Sequence, residues 1–113
     1  MRKSYRVKKE KEFQNVFKTG KSFANKRFII YKYISPEQSH FRVGISVSKK
    51  VGNAVTRNAI KRKIRQGIFE LSSEIRSDID FIVIARPLAK GLTTAETVSN
   101  LKHVLSLAQI IQK

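Results

Sequence analysis

Five consecutive apolar residues, Phe81-Ile82-Val83-Ile84-Ala85, constrain the fold of this chain more than any other feature. The run is short and shows no alternation, so it reads as a central strand, within Asp78 to Arg86, that must be covered on both faces. Pro87 ends it. A strict alternation occurs earlier, in residues 41–48: Phe41, Val43, Ile45 and Val47 share one face, and Arg42, Gly44, Ser46 and Ser48 the other. Residues 21–34 are rich in β-branched and aromatic side chains and read as one strand, best from Arg27 onward. There Arg27, Ile29, Tyr31 and Tyr33 point one way, and Phe28, Ile30, Lys32 and Ile34 the other. Ser35-Pro36-Glu37-Gln38-Ser39 is a turn, and the two strands flanking it are expected to pair antiparallel, one face on the core and the other open.

Three helices complete the pattern. The first spans about Glu10 to Thr19, with Gly20 as its stop and Phe13, Val16 and Phe17 on one face. The second, about 54–73, follows the N-cap Asn53; its Ile60, Ile64, Ile68 and Leu71 form a stripe about 80° wide that should face the sheet. It lies between the alternating strand and the apolar run, the order of a parallel crossover. The last opens on the capping box Thr93-Thr94-Ala95-Glu96 and runs to about Ile111, with Val98, Leu101, Val104, Leu105, Ala108 and Ile111 on its apolar face. The expected fold is an α/β sandwich (α+β) in the order α-β-β-α-β-α, one domain over residues 1–113.

The second helix also carries the charge. Lys49, Lys50, Arg57, Lys61, Arg62, Lys63 and Arg65 fall within seventeen residues, Arg42 lies just upstream, and no acidic residue occurs between Glu37 and Glu70. Residues 1–65 hold 19 Lys/Arg against 3 Asp/Glu, whereas residues 66–113 hold 5 of each, so the whole net charge of +16 sits in the first three fifths. Such asymmetry points to a phosphate backbone as partner. Arg57, Lys61 and Arg65 fall at i, i+4 and i+8, starting at the edge of the apolar stripe and turning away from it; Asn58 and Arg62 continue that surface. These groups should therefore line a seam beside the sheet, while Lys63, on another side, meets only solvent or bulk phosphate. Neighbouring cations on one helix repel by a few tenths of a kcal/mol per pair, and a helix built only for stability would interleave glutamates.

Other chemistries lack residues. The chain has no cysteine, hence no disulfide or thiolate metal site. His40 and His103 are isolated and read as surface residues; the carboxylate pairs Glu10/Glu12 and Asp78/Asp80 are the only, weak, prospects for hydrated Mg²⁺. No HExxH, clustered carboxylates or phosphate-cradling glycine loop occurs, so the chain reads as a binder without catalytic residues. No apolar run reaches 18 residues and no signal core opens the chain, so the expected location is the cytoplasm and no membrane partner is expected. A DNA-reading helix-turn-helix is disfavoured, because the basic helix lies between strands.

The motif Val55-x-Arg57-Asn58-x-Ile60-Lys61-Arg62-x-x-Arg65, preceded by Gly44-Ile45-Ser46-Val47-Ser48-Lys49-Lys50-Val51-Gly52-Asn53-Ala54, closely resembles the bacterial ribonuclease P protein component. The likeness extends through Phe13-Gln14-x-Val16-Phe17, Ala24-Asn25-x-x-Phe28 and Ile82-Val83-Ile84-Ala85-Arg86. It implies a cytoplasmic, non-catalytic subunit of a ribonucleoprotein endonuclease, one that binds the catalytic RNA and helps to remove the 5′ leader of precursor tRNA. Mg²⁺, held mainly by RNA, would serve the chemistry. It further implies a left-handed βαβ crossover, against the general preference. Lys49, Lys50, Asn53, Arg57, Asn58, Lys61, Arg62 and Arg65 would face the RNA, and Phe13, Phe17 and Tyr31 would line a cleft for the single-stranded leader. The chain departs from the pattern at Ala59, where some members carry a second arginine, and at Glu10, where a neutral helix cap is expected. A structural RNA-binding protein of the ribosome would show a similar basic helix but no preference for a leader.

Overall fold

The computed structural model describes residues 5, 6, 14, 16–18 and 20–111. Four strands, β1 (Lys21–Ala24), β2 (Phe28–Ile34), β3 (Arg42–Val47) and β4 (Ile79–Ala85), form one mixed sheet in the order β1-β2-β4-β3. Two long helices, α1 (Ala54–Leu71) and α2 (Thr94–Leu107), cover one face. The described part of the expected first helix, Gln14 and Val16 to Lys18, is helical. Its start, with Glu10, Glu12 and Phe13, lies outside the described residues.

The apolar run takes the place its composition demands. All of β4 but Ile84 is buried, and β4 runs antiparallel to β2 and parallel to β3. This corrects the expected direct pairing of the strands on either side of the Ser35–Ser39 turn. A strand apolar on both faces gains most from a central position, so β4 inserts between them and leaves β3 at the edge. An N-terminal residue partly covers that edge, Arg6 forming a parallel bridge with Val43.

Residues 21–34 make two strands, not one. The side-chain Oδ1 of Asn25 accepts from the backbone N–H groups of Arg27 and Phe28, both at 2.8 Å, and so closes a turn that folds β1 back on β2. The observed order is thus the expected one with an added strand.

The register sorts side chains between the two faces. Phe28, Ile30, Val43, Val47, Phe81 and Val83 join Ile60, Ile64 and Ile68 of α1 and Leu101, Val104 and Leu105 of α2 in the main core. Lys32 shares that face at 9% exposure. Its Nζ donates to the Ala108 carbonyl at 2.5 Å, which ties the end of α2 to the sheet. Burial first, then the charges of Arg76 and Lys21, holds its pKa below the usual lysine value, against an opposing pull from Asp78. Ile29, Tyr31, Ile82, Gly44 and Ser46 point to the opposite face. Ile82 and Val16 are fully buried yet outside the main core. The N-terminal helical segment supplies cover there, because the Phe17 ring meets the Tyr31 ring edge-on at 4.9 Å. Gly20 lets it approach: a Cβ at this position would fall 2.2 Å from the Val16 carbonyl oxygen and 2.4 Å from that of Lys32.

Both capping expectations hold. Asn53 accepts from the Thr56 N–H at 2.9 Å, and Thr93 and Glu96 exchange their two hydrogen bonds. The helix α2 stops earlier than expected, at Leu107; Gln109 then takes φ 58° and Ile111 bridges to Ile75.

Candidate nucleic-acid interface

Helix α1 lies over β3, and α2 lies over β1 and β2. The helices meet at Gly67, where a Cβ would come within 2.7 Å of Leu101 Cδ1. One flank of α1 is therefore closed by α2. Lys63 belongs to that closed flank and donates through Nζ to the Leu92 carbonyl at 2.7 Å, a correction to its expected place in solvent. Around the helix axis, Arg57, Lys61, Arg65, Asn58 and Arg62 follow on the other flank, past the edge strand β3.

On this open flank Arg57, Lys61 and Arg65 are half-buried, and Asn58 and Arg62 exposed. The ion pairs among the described residues join Arg42 to Asp80, Arg76 to Asp78 and Lys102 to Glu74; none involves α1. The first turn of α1 contains no acidic residue, although the helix dipole favours negative charge there and Arg57 occupies it. Arg57 Nε is also buried without a hydrogen-bond partner among the described residues. A donor left so is costly unless water or an anion reaches it.

Lys49 and Lys50 are exposed in the turn after β3. Asn53 is exposed too, but its side-chain oxygen is committed to the cap. Arg42 projects from the opposite sheet face, where its Nε and Nη2 donate to the two carboxylate oxygens of Asp80 at 3.0 and 2.6 Å.

The aromatic candidates lie elsewhere. Phe17 is 42% exposed, and Tyr31 is half-buried beside it on the sheet face away from α1; Phe13 lies outside the described residues. The cations and the aromatic pair therefore do not share one groove. They occupy opposite faces of the sheet.

The carboxylates Asp78 and Asp80 are engaged by Arg76 and Arg42. Among the described residues no three His, Cys, Asp or Glu side chains come together to hold a metal ion, and no helix is long and apolar enough to cross a membrane. Two residues, Phe69 and Tyr5, are absent from the sequence-based expectations. Phe69, 65% exposed, stands off the apolar stripe on the cationic flank. Tyr5 stacks on His40 with centroids 4.0 Å apart, so His40 is not an isolated surface residue. The legible signal was Phe69, a large aromatic outside the stripe and within a turn of Arg65.

Comparison with known proteins agrees with this architecture. The family described as Ribonuclease P matches residues 1–109. The ribonuclease P protein component of Enterococcus faecalis is 61% identical over 111 residues, 98% of this chain and 94% of that one. A Staphylococcus aureus RNase P protein mutant with defective mRNA degradation activity superposes with a TM-score of 0.90 at 49% identity, covering 96% of this chain and 92% of that one. The RNase P protein of Thermotoga maritima gives 0.79 at 28% identity, with 96% and 98% covered. A mixed sheet backed by two helices, the cationic motif of α1 and likeness along nearly the whole chain lead to one conclusion: this chain belongs to the ribonuclease P protein family.

Proposed function

We propose that the protein binds the catalytic RNA of ribonuclease P through the open flank of α1, and the 5′ leader of precursor tRNA through the sheet face carrying Phe17 and Tyr31. It acts as a non-catalytic subunit in tRNA 5′ maturation. The observation that carries this reading is the row Arg57, Lys61 and Arg65, half-buried, unpaired with carboxylates among the described residues, and including an orphaned Arg57 Nε. Phosphate oxygens satisfy both the charge and that donor. Lys49, Lys50 and Arg62 extend the cationic surface, and Asn58 adds an amide.

On the other face, a ring 42% exposed beside a tyrosine suits stacking on an unpaired base. The opposed placement favours a division of labour, one RNA on each side of the sheet. The RNA holds the Mg²⁺ that serves the chemistry.

Phe17→Ala tests the leader surface. Loss of one stacked base, about 1–3 kcal/mol, should weaken binding of leader-bearing precursor roughly 5- to 150-fold in a filter-binding titration and spare mature tRNA. Equal loss for both RNAs would return Phe17 to a packing role. A protein-alone incubation belongs beside it, since one relative is described by a defect in mRNA degradation.

A further inference from the structure

We propose that a cavity of about 720 Å³, between the C-terminal end of α1 and the β2–β3 turn, receives one unpaired nucleotide of the catalytic RNA. The proposal rests on the reading above, that α1 faces that RNA. Its volume falls within the roughly 300–1,000 Å³ range of ligand sites. Tyr5, His40 and Phe69 provide aromatic walls, and Ser39, Ser73 and Ser77 provide hydroxyls for the edge of a base.

The walls are held in place. Tyr5 stacks on His40 at an interplanar angle of 21° and meets Phe41 edge-on at 5.1 Å, and Phe41 is anchored in the core. His40 Nδ1 lies 2.8 Å from the Phe41 carbonyl, which can only accept, so that nitrogen donates and the ring is held in place.

The charge surrounding the cavity selects the occupant. Phe69 also lines a smaller pocket with Arg62, Arg65 and Gln66, so one ring borders both the cavity and the cationic flank. Among the described residues no acidic side chain lines either space. The acids adjacent in sequence to the lining residues have partners of their own: Glu70 accepts from Gln66 at 3.3 Å, Glu74 lies 4.0 Å from Lys102 Nζ, and Asp78 accepts from Arg76. A base on Phe69 and Tyr5, with its phosphate on Arg62 and Arg65, matches aromatic and cationic groups at once. The cavity is on the α1 side of the sheet, away from Phe17 and Tyr31, which assigns the nucleotide to the catalytic RNA and not to the leader.

The chain has no tryptophan, so Phe69→Trp introduces a single indole, selectively excitable beside the tyrosines, at an exposed position. Its emission should be quenched on titration with bacterial ribonuclease P RNA and unchanged by a leader oligonucleotide. Phe69→Ala should bind that RNA roughly 5- to 150-fold more weakly with an unaltered salt slope, because a stack and no phosphate contact is lost. Arg65→Gln should instead shift the slope by about 0.7. Unquenched emission from a variant that still binds the RNA, quenching by the leader alone, or Phe69→Ala binding within twofold of the unaltered protein would each overturn the proposal while leaving the α1 reading intact. Failure of the unaltered protein to bind the RNA would overturn both.

Discussion

Replacing Arg57, Lys61 and Arg65 together with glutamine is expected to weaken binding of ribonuclease P RNA on the order of a hundredfold at 0.1 M salt. Each lost phosphate contact removes about 0.7 from the slope of log affinity against log salt. The unaltered protein, contacting about four to six phosphates, should show a slope of roughly −3 to −4, and the triple variant a slope shallower by about 2. Stability should hold or rise slightly, because three mutually repelling cations leave a helix whose core contacts are made by Ile60, Ile64 and Ile68. Titrations at four salt concentrations, beside a thermal melt, separate the outcomes. An unchanged slope in a folded variant would mean that these cations meet no phosphate.

The second large effect concerns stability. Asp80 is 3% exposed, and Arg42 donates to both of its carboxylate oxygens. Arg42→Met strips the buried carboxylate of that pairing and should cost about 3–5 kcal/mol, the usual penalty for breaking a buried pair from one side. For a domain of this length the melting temperature should fall by about 10–20 °C. Arg42→Met combined with Asp80→Leu removes both charges and should recover most of the loss. A melt of the single variant within about 2 °C of the unaltered protein would show that the pair is solvated and weak.

Local signals in the sequence carried most of the fold. The β4 run, the Asn53 cap, the Thr93–Glu96 box and the isoleucine stripe of α1 each act within a few residues, so spacing alone exposed them. Strand pairing is not local. The alternation in residues 41–48 names a face but no partner, and only burial of β4 on both sides decides that it separates β2 from β3. The split at Asn25 was hidden because one side-chain oxygen, bonded to two backbone N–H groups, ends a strand that composition would continue.

The site shows the same division. Angular spacing on α1 separated Arg57, Lys61 and Arg65 from the isoleucines. It cannot tell which flank α2 closes, so it points Lys63 outward, whereas Lys63 bonds the Leu92 carbonyl. Nor could it show that the cations and the Phe17–Tyr31 pair lie on opposite faces, which depends on where the N-terminal helical segment packs. Phe69 and Tyr5 come near one another only through the tertiary fold.

The most direct test of the central claim is cleavage of a precursor tRNA by bacterial ribonuclease P RNA at low Mg²⁺, with and without this protein. Cations set on α1 to neutralise crowded phosphates should restore 5′ leader removal that the RNA alone performs poorly under those conditions, and the triple glutamine variant should restore far less. No stimulation by the unaltered protein, or equal stimulation by the triple variant, would contradict the account.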